Sequence, residues 1–520
     1  VTDPAPATSR TGLADGEWHR LHPATPLLRG GIAFLAILGI LVANLRERLV
    51  EILVPGFVCE PPGCESTDPI AELVERGYLL AIIGGLVGLV LVLLVFFWLS
   101  WRTHSFRITD EVVEVRSGIL FRTHRKARLD RIQGVNVARP LLARIFGTAK
   151  LEVAVAGQDA NVPLQYLGSA AADVLRGEIL QLASGVQRQT AGAATAEPGG
   201  SLVERRVAEL LAPELDPSLT TPESVVRMHP GRLIGSTVLS GTSVVFLLAG
   251  IAFTVLVSIS AEFVFALFGM IPAALGLLSY LVNRILKFLR YSIAATPDGV
   301  RIGYGLLSTR NDTVPPGRVH SIQVSQHLFW RPADWWTVTV NRASRSSSQS
   351  SGDQGNSIVL PVGTRQDALR VLELLLPDLL LSPQGSGLLE LLGPGLTGRG
   401  DDGFVTSPRR AAVFRWFSWR RNGVALLPEI VLLRTGAIWR RLVLVPTPRM
   451  QSAAVSQGPL ERALDLAAVH VHTVAGPITA RVGALGRADA EGFFRELAAV
   501  AVAAASSDRT HRWRAGESPA

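Results

Sequence analysis

The sequence predicts a multi-span α-helical membrane protein that carries three cytoplasmic β-rich domains, each a small β-barrel or sandwich closed by a C-terminal helix. Three observations predict it: a strand-patterned segment that occurs three times, long uncharged apolar runs, and arginines that concentrate on one side of those runs. The repeat is the firmest of the three, because a fixed internal spacing reports architecture directly. Its first copy runs from Phe106 to Val155, its second begins at Tyr291 and its third at Val424. Gly118 lies 15 residues before Gln133, and Gly436 lies 15 before Gln451. Gln133 lies 11 before Arg144, and Gln451 lies 11 before Arg462. The middle copy carries Gly305 and Gln323, which reads as a turn three residues longer.

At 520 residues the chain has room for several domains. Hydrophobic residues make up 48% and the net charge is +8, yet lysine occurs only at Lys126, Lys150 and Lys287. Arginine in an Ala- and Gly-rich chain reads as genome composition, so no nucleic-acid partner is expected. A basic balance also suits the cytoplasmic side of a membrane protein.

Residues 1–25 read as a flexible N-terminal tail. Residues 26–100 hold the first expected transmembrane hairpin, with apolar runs at 30–45 and 78–99. Residues 231–290 hold the second, with runs at 233–257 and 263–282. A span needs roughly 20 apolar residues. Between the first two runs, residues 46–76 carry three arginines against seven acidic residues, whereas Arg102, Arg107, Arg116 and Arg122 follow the second run. The positive-inside bias then predicts four spans in the plasma (inner) membrane of a bacterium, with both termini and all three repeats cytoplasmic. Cys59 and Cys64 fall in the outer loop, as a short disulfide or as two free thiols.

The three domains are expected at 101–184, 291–380 and 409–503, separated by linkers at 185–230 and 381–408 and followed by a tail at 504–520. Leu151, Val153 and Val155 alternate with polar residues, as do Val338 with Val340 and Val469 with Val471. That is the period of a half-buried strand, in residue types strands prefer. Gly118, Gly305 and Gly436 stand where hairpin turns are expected. A helix closes each repeat, at 170–182, 364–376 and 487–502; Thr364 suits an N-cap and Asp367 its first turn.

Two basic segments are candidate contacts for anionic lipid or a partner. The turn after Gly118 gathers Arg122, Arg125, Lys126, Arg128 and Arg131. Such a cluster attracts anionic headgroups, although any segment beside a span end also carries excess arginine. The third repeat is preceded not by spans but by Arg409, Arg410, Arg415, Trp416, Trp419, Arg420 and Arg421. This basic–aromatic segment suits the inner leaflet, or else begins the core of the third domain.

A membrane hairpin, a strand-rich repeat with a glycine turn, the IQGVNV and RIFG stretches and a closing helix together resemble the bacterial pleckstrin-homology family. The likeness is to its membrane-flanked, bPH2-type branch, and the three-copy layout is similar to YdbT-like members. It covers roughly residues 30–184 and 230–502 and is weakest in repeat three, where Asp465 stands in place of Gly147. The resemblance implies a seven-stranded, partly open barrel with a C-terminal helix, and implies no reaction and no transferable lipid-binding residue.

No phosphate loop, nucleophile elbow or H-E-x-x-H motif occurs, and Gly303-Tyr304-Gly305 lacks the third glycine of a dinucleotide fingerprint. His470 and His472 share a strand face without further ligands, and Trp330, Trp335 and Trp336 are expected to fill or rim the second barrel. The expectation is a non-enzymatic integral membrane protein without cofactor or metal. It would present three domains to membrane lipids or to a membrane or cytoplasmic protein, in envelope maintenance or stress response, and homo-oligomers are open to it. The alternative is a transporter or channel accessory subunit, which would need polar residues inside the spans.

Overall fold

The computed structural model describes residues 13, 15–23, 84, 88, 91–92, 95, 98–118, 122–155, 161–184, 226–260, 263–296, 299–315, 317–343, 357–380, 385–400 and 402–507. Cys59 and Cys64, and nearly all of the first expected hairpin, lie outside the described residues.

Alternating Val, Ile and Thr give each repeat its strands. Repeat one comprises β1 (His19–Arg20), β2 (Ser105–Ile108), β3 (Val112–Ser117), β4 (Thr123–Arg128), β5 (Ile132–Arg139), α1 (Leu141–Ile145), β6 (Thr148–Val155), β7 (Val162–Gly168) and α2 (Ser169–Ser184). Repeat two opens with β8 (Val226–Arg227) and three helices, α3 (Pro230–Val238), α4 (Gly241–Ser260) and α5 (Phe263–Phe288). It continues through β9 (Ser292–Thr296), β10 (Gly299–Tyr304), β11 (Thr309–Val314), β12 (Val319–Gln326), β13 (Trp335–Arg342), β14 (Ile358–Thr364), α6 (Arg365–Leu375) and α7 (Pro377–Leu380). Helix α8 (Gly385–Thr397) leads into repeat three: β15 (Val405–Thr406), α9 (Ala412–Arg415), β16 (Gly423–Leu426), β17 (Ile430–Thr435), β18 (Arg440–Pro446), β19 (Ser452–Ser456), α10 (Pro459–Ala463), β20 (Leu466–His472), β21 (Ala480–Gly486) and α11 (Arg487–Ser507). Thr364 and Asp367 cap α6 reciprocally: Asp367 N–H donates to Thr364 Oγ1 at 3.2 Å and Thr364 N–H to Asp367 Oδ2 at 2.8 Å.

Three separate barrels were the expectation, and the sheets correct it. The described strands form four antiparallel sheets, ordered β1-β2-β3-β4, β7-β6-β5-β11-β10-β9-β8, β14-β13-β12-β18-β17-β16-β15 and β19-β20-β21. Both seven-stranded sheets are shared, each joining the second half of one repeat to the first half of the next. No closed barrel forms among the described residues. Each repeat still has its own core between two half-sheets: Phe106, Ile132 and Leu151 in repeat one, Ile302, Ile322 and Val338 in repeat two, Val431, Val443 and Val469 in repeat three. Strand alternation makes this work. Val135 and Val137 face the first core, while their partners Thr313 and Asn311 alternate with Val314, which faces the second. Successive cores therefore lie on opposite faces of a shared sheet.

The expected four-span membrane protein is also corrected. Among the described residues no single helix is long and apolar enough to cross a membrane; only Pro230–Val238 and Gly241–Val255 pass the test together, bent by 46° at their break. Polar side chains stand at that break. Thr237 Oγ1 donates to Leu233 O at 2.7 Å, and Ser243 Oγ donates to Thr237 O at 2.7 Å across the bend. Leu233 is buried in the core of repeat two, and Trp330 Nε1 donates to Ser236 O at 3.1 Å. The start of the expected third span is thus a core helix of a β-rich repeat. Likewise α5 runs past the expected fourth span to Phe288, which is buried in the same core. The described helices therefore do not carry the expected integral membrane role and inner-membrane location. Helix α4 leaves Val245, Leu247, Leu248 and Ile251 exposed.

Candidate functional site

The joints between repeats use equivalent positions. β5 pairs with β11 through Val135–Thr313, Asn136–Asp312 and Val137–Asn311. β12 pairs with β18 through Ile322–Leu444, Gln323–Val443 and Val324–Leu442. Thr313 follows Gly305 by eight residues, as Leu444 follows Gly436, so the two joints share one register. That register corrects the middle copy: His320, not Gln323, stands in the place of Gln133 and Gln451. His320 lies 15 residues after Gly305 and 11 before Arg331, and the three copies keep one spacing without a longer turn.

The conserved interval has a structural meaning. Arg144 Nη1 donates to Leu306 O at 2.7 Å, and Arg331 Nη2 donates to the carbonyls of Ala437 and Ile438. Leu306 and Ala437 immediately follow the turn glycines. Gly305 and Gly436 have φ of 108° and 76°, and a Cβ on either would collide with the carbonyl oxygen of Ser308 or Trp439. Only glycine holds that turn open to the incoming arginine.

At the Gly436 turn the joint widens into a cavity of about 480 Å³. Gln323 lines it from repeat two; Arg415, Trp416, Trp439, Arg441 and Arg481 line it from repeat three. Trp416, Phe417 and Trp439 are 73%, 62% and 51% exposed at its rim. No carboxylate pairs with Arg415, Arg441 or Arg481 among the described residues. Burial, then His472 and Arg481, push the pKa of His470 down. The His470 and His472 rings stand 3.9 Å apart, but no group of three or more His, Cys, Asp or Glu among the described residues could hold a metal. A second cavity of about 390 Å³ sits at the equivalent Gly118 turn, lined by Thr103, Arg116, Ser117, Arg122 and His124 among others.

The basic turn of repeat one is a strand edge whose charges are partly engaged. Lys126 Nζ lies 2.7 Å and Arg107 Nη2 2.8 Å from the buried Glu114 carboxylate. The Lys126 ammonium and, after it, the Arg107 guanidinium hold that carboxyl below the usual carboxylate range. Arg125 donates to Asn161 O at 3.1 Å. Arg122 lines the Gly118 cavity, Arg128 ends β4, and Arg131 closes the 3-10 turn after it.

The segment from Arg409 to Arg421 divides. Arg409 and Arg410 lie in a 3-10 turn, where Arg410 pairs with Asp465 at 2.9 Å. Arg420 lies over the Trp419 ring, and Trp419 packs on Ala411 and Leu466. Arg421 is 2% exposed and donates to the carbonyls of Gly395, Leu396 and Gly398 at 2.8–2.9 Å, capping α8. Burial first, and Arg434 next, lower its pKa to about 9. Of the expected contacts in this segment, Arg415 and Trp416 line the groove, beside Phe414, Phe417 and Ser418. Gln323 stood out in sequence only as a repeat landmark, and Trp439 and Arg481 did not stand out; Trp439, three residues after the Gly436 turn, was the readable signal. Trp330 and Trp336 are buried in repeat two.

The pattern of the family described as Bacterial PH domain matches residues 52–183, 241–378 and 403–501. The UPF0699 transmembrane protein YdbT of Bacillus subtilis (strain 168) is 22% identical over 272 residues, 47% of this chain and 52% of the relative. The chain thus spans about half the length of that curated relative. The family matches, one per repeat, cover well over half of the sequence. The chain therefore belongs to the bacterial PH domain family.

Proposed function

We propose that the chain is a scaffold that holds phosphate-bearing lipid headgroups in the groove at the Gly436 turn. The observation that carries this reading is the convergence of Arg415, Arg441 and Arg481, without a carboxylate partner among the described residues, beneath the exposed rings of Trp416 and Trp439. Guanidinium forks bind phosphate oxygens in pairs. Amphipathic rings suit the boundary between headgroups and water. Each arginine near an anionic surface contributes about 1 kcal/mol. The general role of PH-like domains in lipid or protein contact supports the same reading, and the three-copy layout supports a place in the YdbT-like branch.

The test is co-sedimentation with vesicles of phosphatidylcholine alone and of phosphatidylcholine mixed with phosphatidylglycerol. The expected result is salt-sensitive binding to the mixed vesicles that falls about tenfold or more in the R415A/R441A/R481A variant. Equal binding of variant and parent, or equal binding to both vesicle types, would overturn the reading.

A further inference from the structure

We propose that copies of this chain join head to tail, β19 of one copy pairing with β4 of the next in the register of the two internal joints. β4 is the repeat-one counterpart of β11 and β18, and β19 is the repeat-three counterpart of β5 and β12. Those inner strands are paired on both sides, whereas β4 and β19 are sheet edges among the described residues. Exposure follows pairing. Asn311, Thr313, Leu442 and Leu444 are 0–2% exposed, while Thr123, His124, Arg125 and Lys126 are exposed.

Of the devices that block edge pairing, proline and bulges are missing from both strands, while β4 does carry basic side chains. β3–β4 and β19–β20 pair without a register shift, and neither edge strand contains proline. Lys126, an edge lysine, is drawn back onto Glu114 instead of projecting past the edge. Carrying the shared register forward sets Ala453 opposite Lys126, Ala454 opposite Arg125 and Val455 opposite His124. Small neutral residues thus meet basic ones, with no like charges opposed.

A second observation points to the same partner. Arg462 holds the position of Arg144 and Arg331, 11 residues after Gln451. It is exposed and has no side-chain partner among the described residues. In a docked copy it comes to Gly118 at the end of β3, the place that Gly305 at the end of β10 holds for Arg144. Docking would also close the Gly118 cavity with β19, as Gln323 of β12 closes the Gly436 cavity. A contact of this heterologous kind propagates into a ring or a filament.

The test uses the full chain with Cys59 and Cys64 changed to Ser. Sedimentation velocity across a dilution series is expected to show association that Arg462→Ala weakens about tenfold or more. Ala454→Glu, facing Arg125, is expected to tighten it about two- to fivefold. On oxidation, a mixture of A454C and R125C molecules should form disulfide-linked dimers. A mixture of A454C and K126C, whose side chains fall on opposite faces, should form few. A chain that stays monomeric at every concentration, an Arg462→Ala variant that associates like its parent, or equal crosslinking of both mixtures would each overturn the proposal. So would a disulfide that closes within single molecules of an A454C/R125C double variant.

Discussion

Arg144 Nη1 lies 2.7 Å from the carbonyl oxygen of Leu306, 162 residues further along the chain, and this hydrogen bond ties repeat one to the turn of repeat two. Arg144 is 8% exposed, so its loss leaves a poorly solvated carbonyl behind. Arg144→Ala is expected to cost about 1.5–3 kcal/mol, the range for hydrogen bonds to charged groups. Urea unfolding measures it, and limited proteolysis should show repeats one and two separating first. The joint built on Arg331 should stay intact in that variant.

Gly134 tests the same joint from the backbone. A Cβ there would stand 2.6 Å from Thr313 O on the partner strand β11. Backbone cannot swing aside as a side chain can, so Gly134→Ala must push β5 from β11. The expected cost is about 1–3 kcal/mol. Gly492 in α11 is the control, since a Cβ meets nothing within 4 Å. Gly492→Ala is expected to stabilise by about 0.5–1 kcal/mol. Thermal melts of the two variants should move in opposite directions.

The spacing from Gly118 through Gln133 to Arg144 was legible in sequence because it is a fixed count between residues with special backbone or charge. Its purpose was not legible. Periodicity reports which face of a strand is buried, not which strand lies beside it. Thr313 and Asn311 therefore carry no sequence sign of the seam that they form with Val135 and Val137. The apolar run from Leu233 misled for a related reason. Composition does not show that its first turns, from Leu233, pack into the core of repeat two. In the groove, Arg415 and Trp416 stood out as basic–aromatic neighbours, but Gln323 arrives from another repeat and Arg481 from a distant strand.

Acid should destabilise the chain in two steps. Burial, with Arg449 and Arg318 adding repulsion, lowers the pKa of His320 below its usual 6.5. His327 and His470 are lowered too, chiefly by burial. For a base with a depressed folded pKa, the unfolded chain takes up the proton first as pH falls. Stability is therefore full above about pH 6.5 and declines below it. Glu114 acts lower: its folded pKa is depressed, so its contribution is present above the usual carboxylate value of 4.5 and is lost as pH falls further. Gln133 and Gln451 fill the His320 position in the sister repeats, so His320→Gln is a substitution the fold already accepts. Melting temperatures between about pH 5 and pH 8 should show a shallower first decline in that variant. An unchanged decline would assign the step to His22, His327 and His470.

Arg420 and Arg421 are neighbours in sequence with opposite duties, and substitution should separate them. Arg421 donates to three carbonyls at the end of α8 and is nearly sealed from water. Arg421→Ala leaves those oxygens without a donor and an unfilled space beside Arg434, and is expected to cost about 3 kcal/mol or more. Arg421→Lys keeps the charge but has no planar fork to reach three acceptors, so it should recover only a minor part. Arg420→Ala removes a guanidinium lying 5.1 Å over the Trp419 ring. Its expected cost is at most about 1 kcal/mol. Urea midpoints rank the three variants, and protease cleavage within 385–397 should rise for Arg421→Ala alone. If Arg421 served only as a surface charge, both alanine variants would unfold at the parent's midpoint.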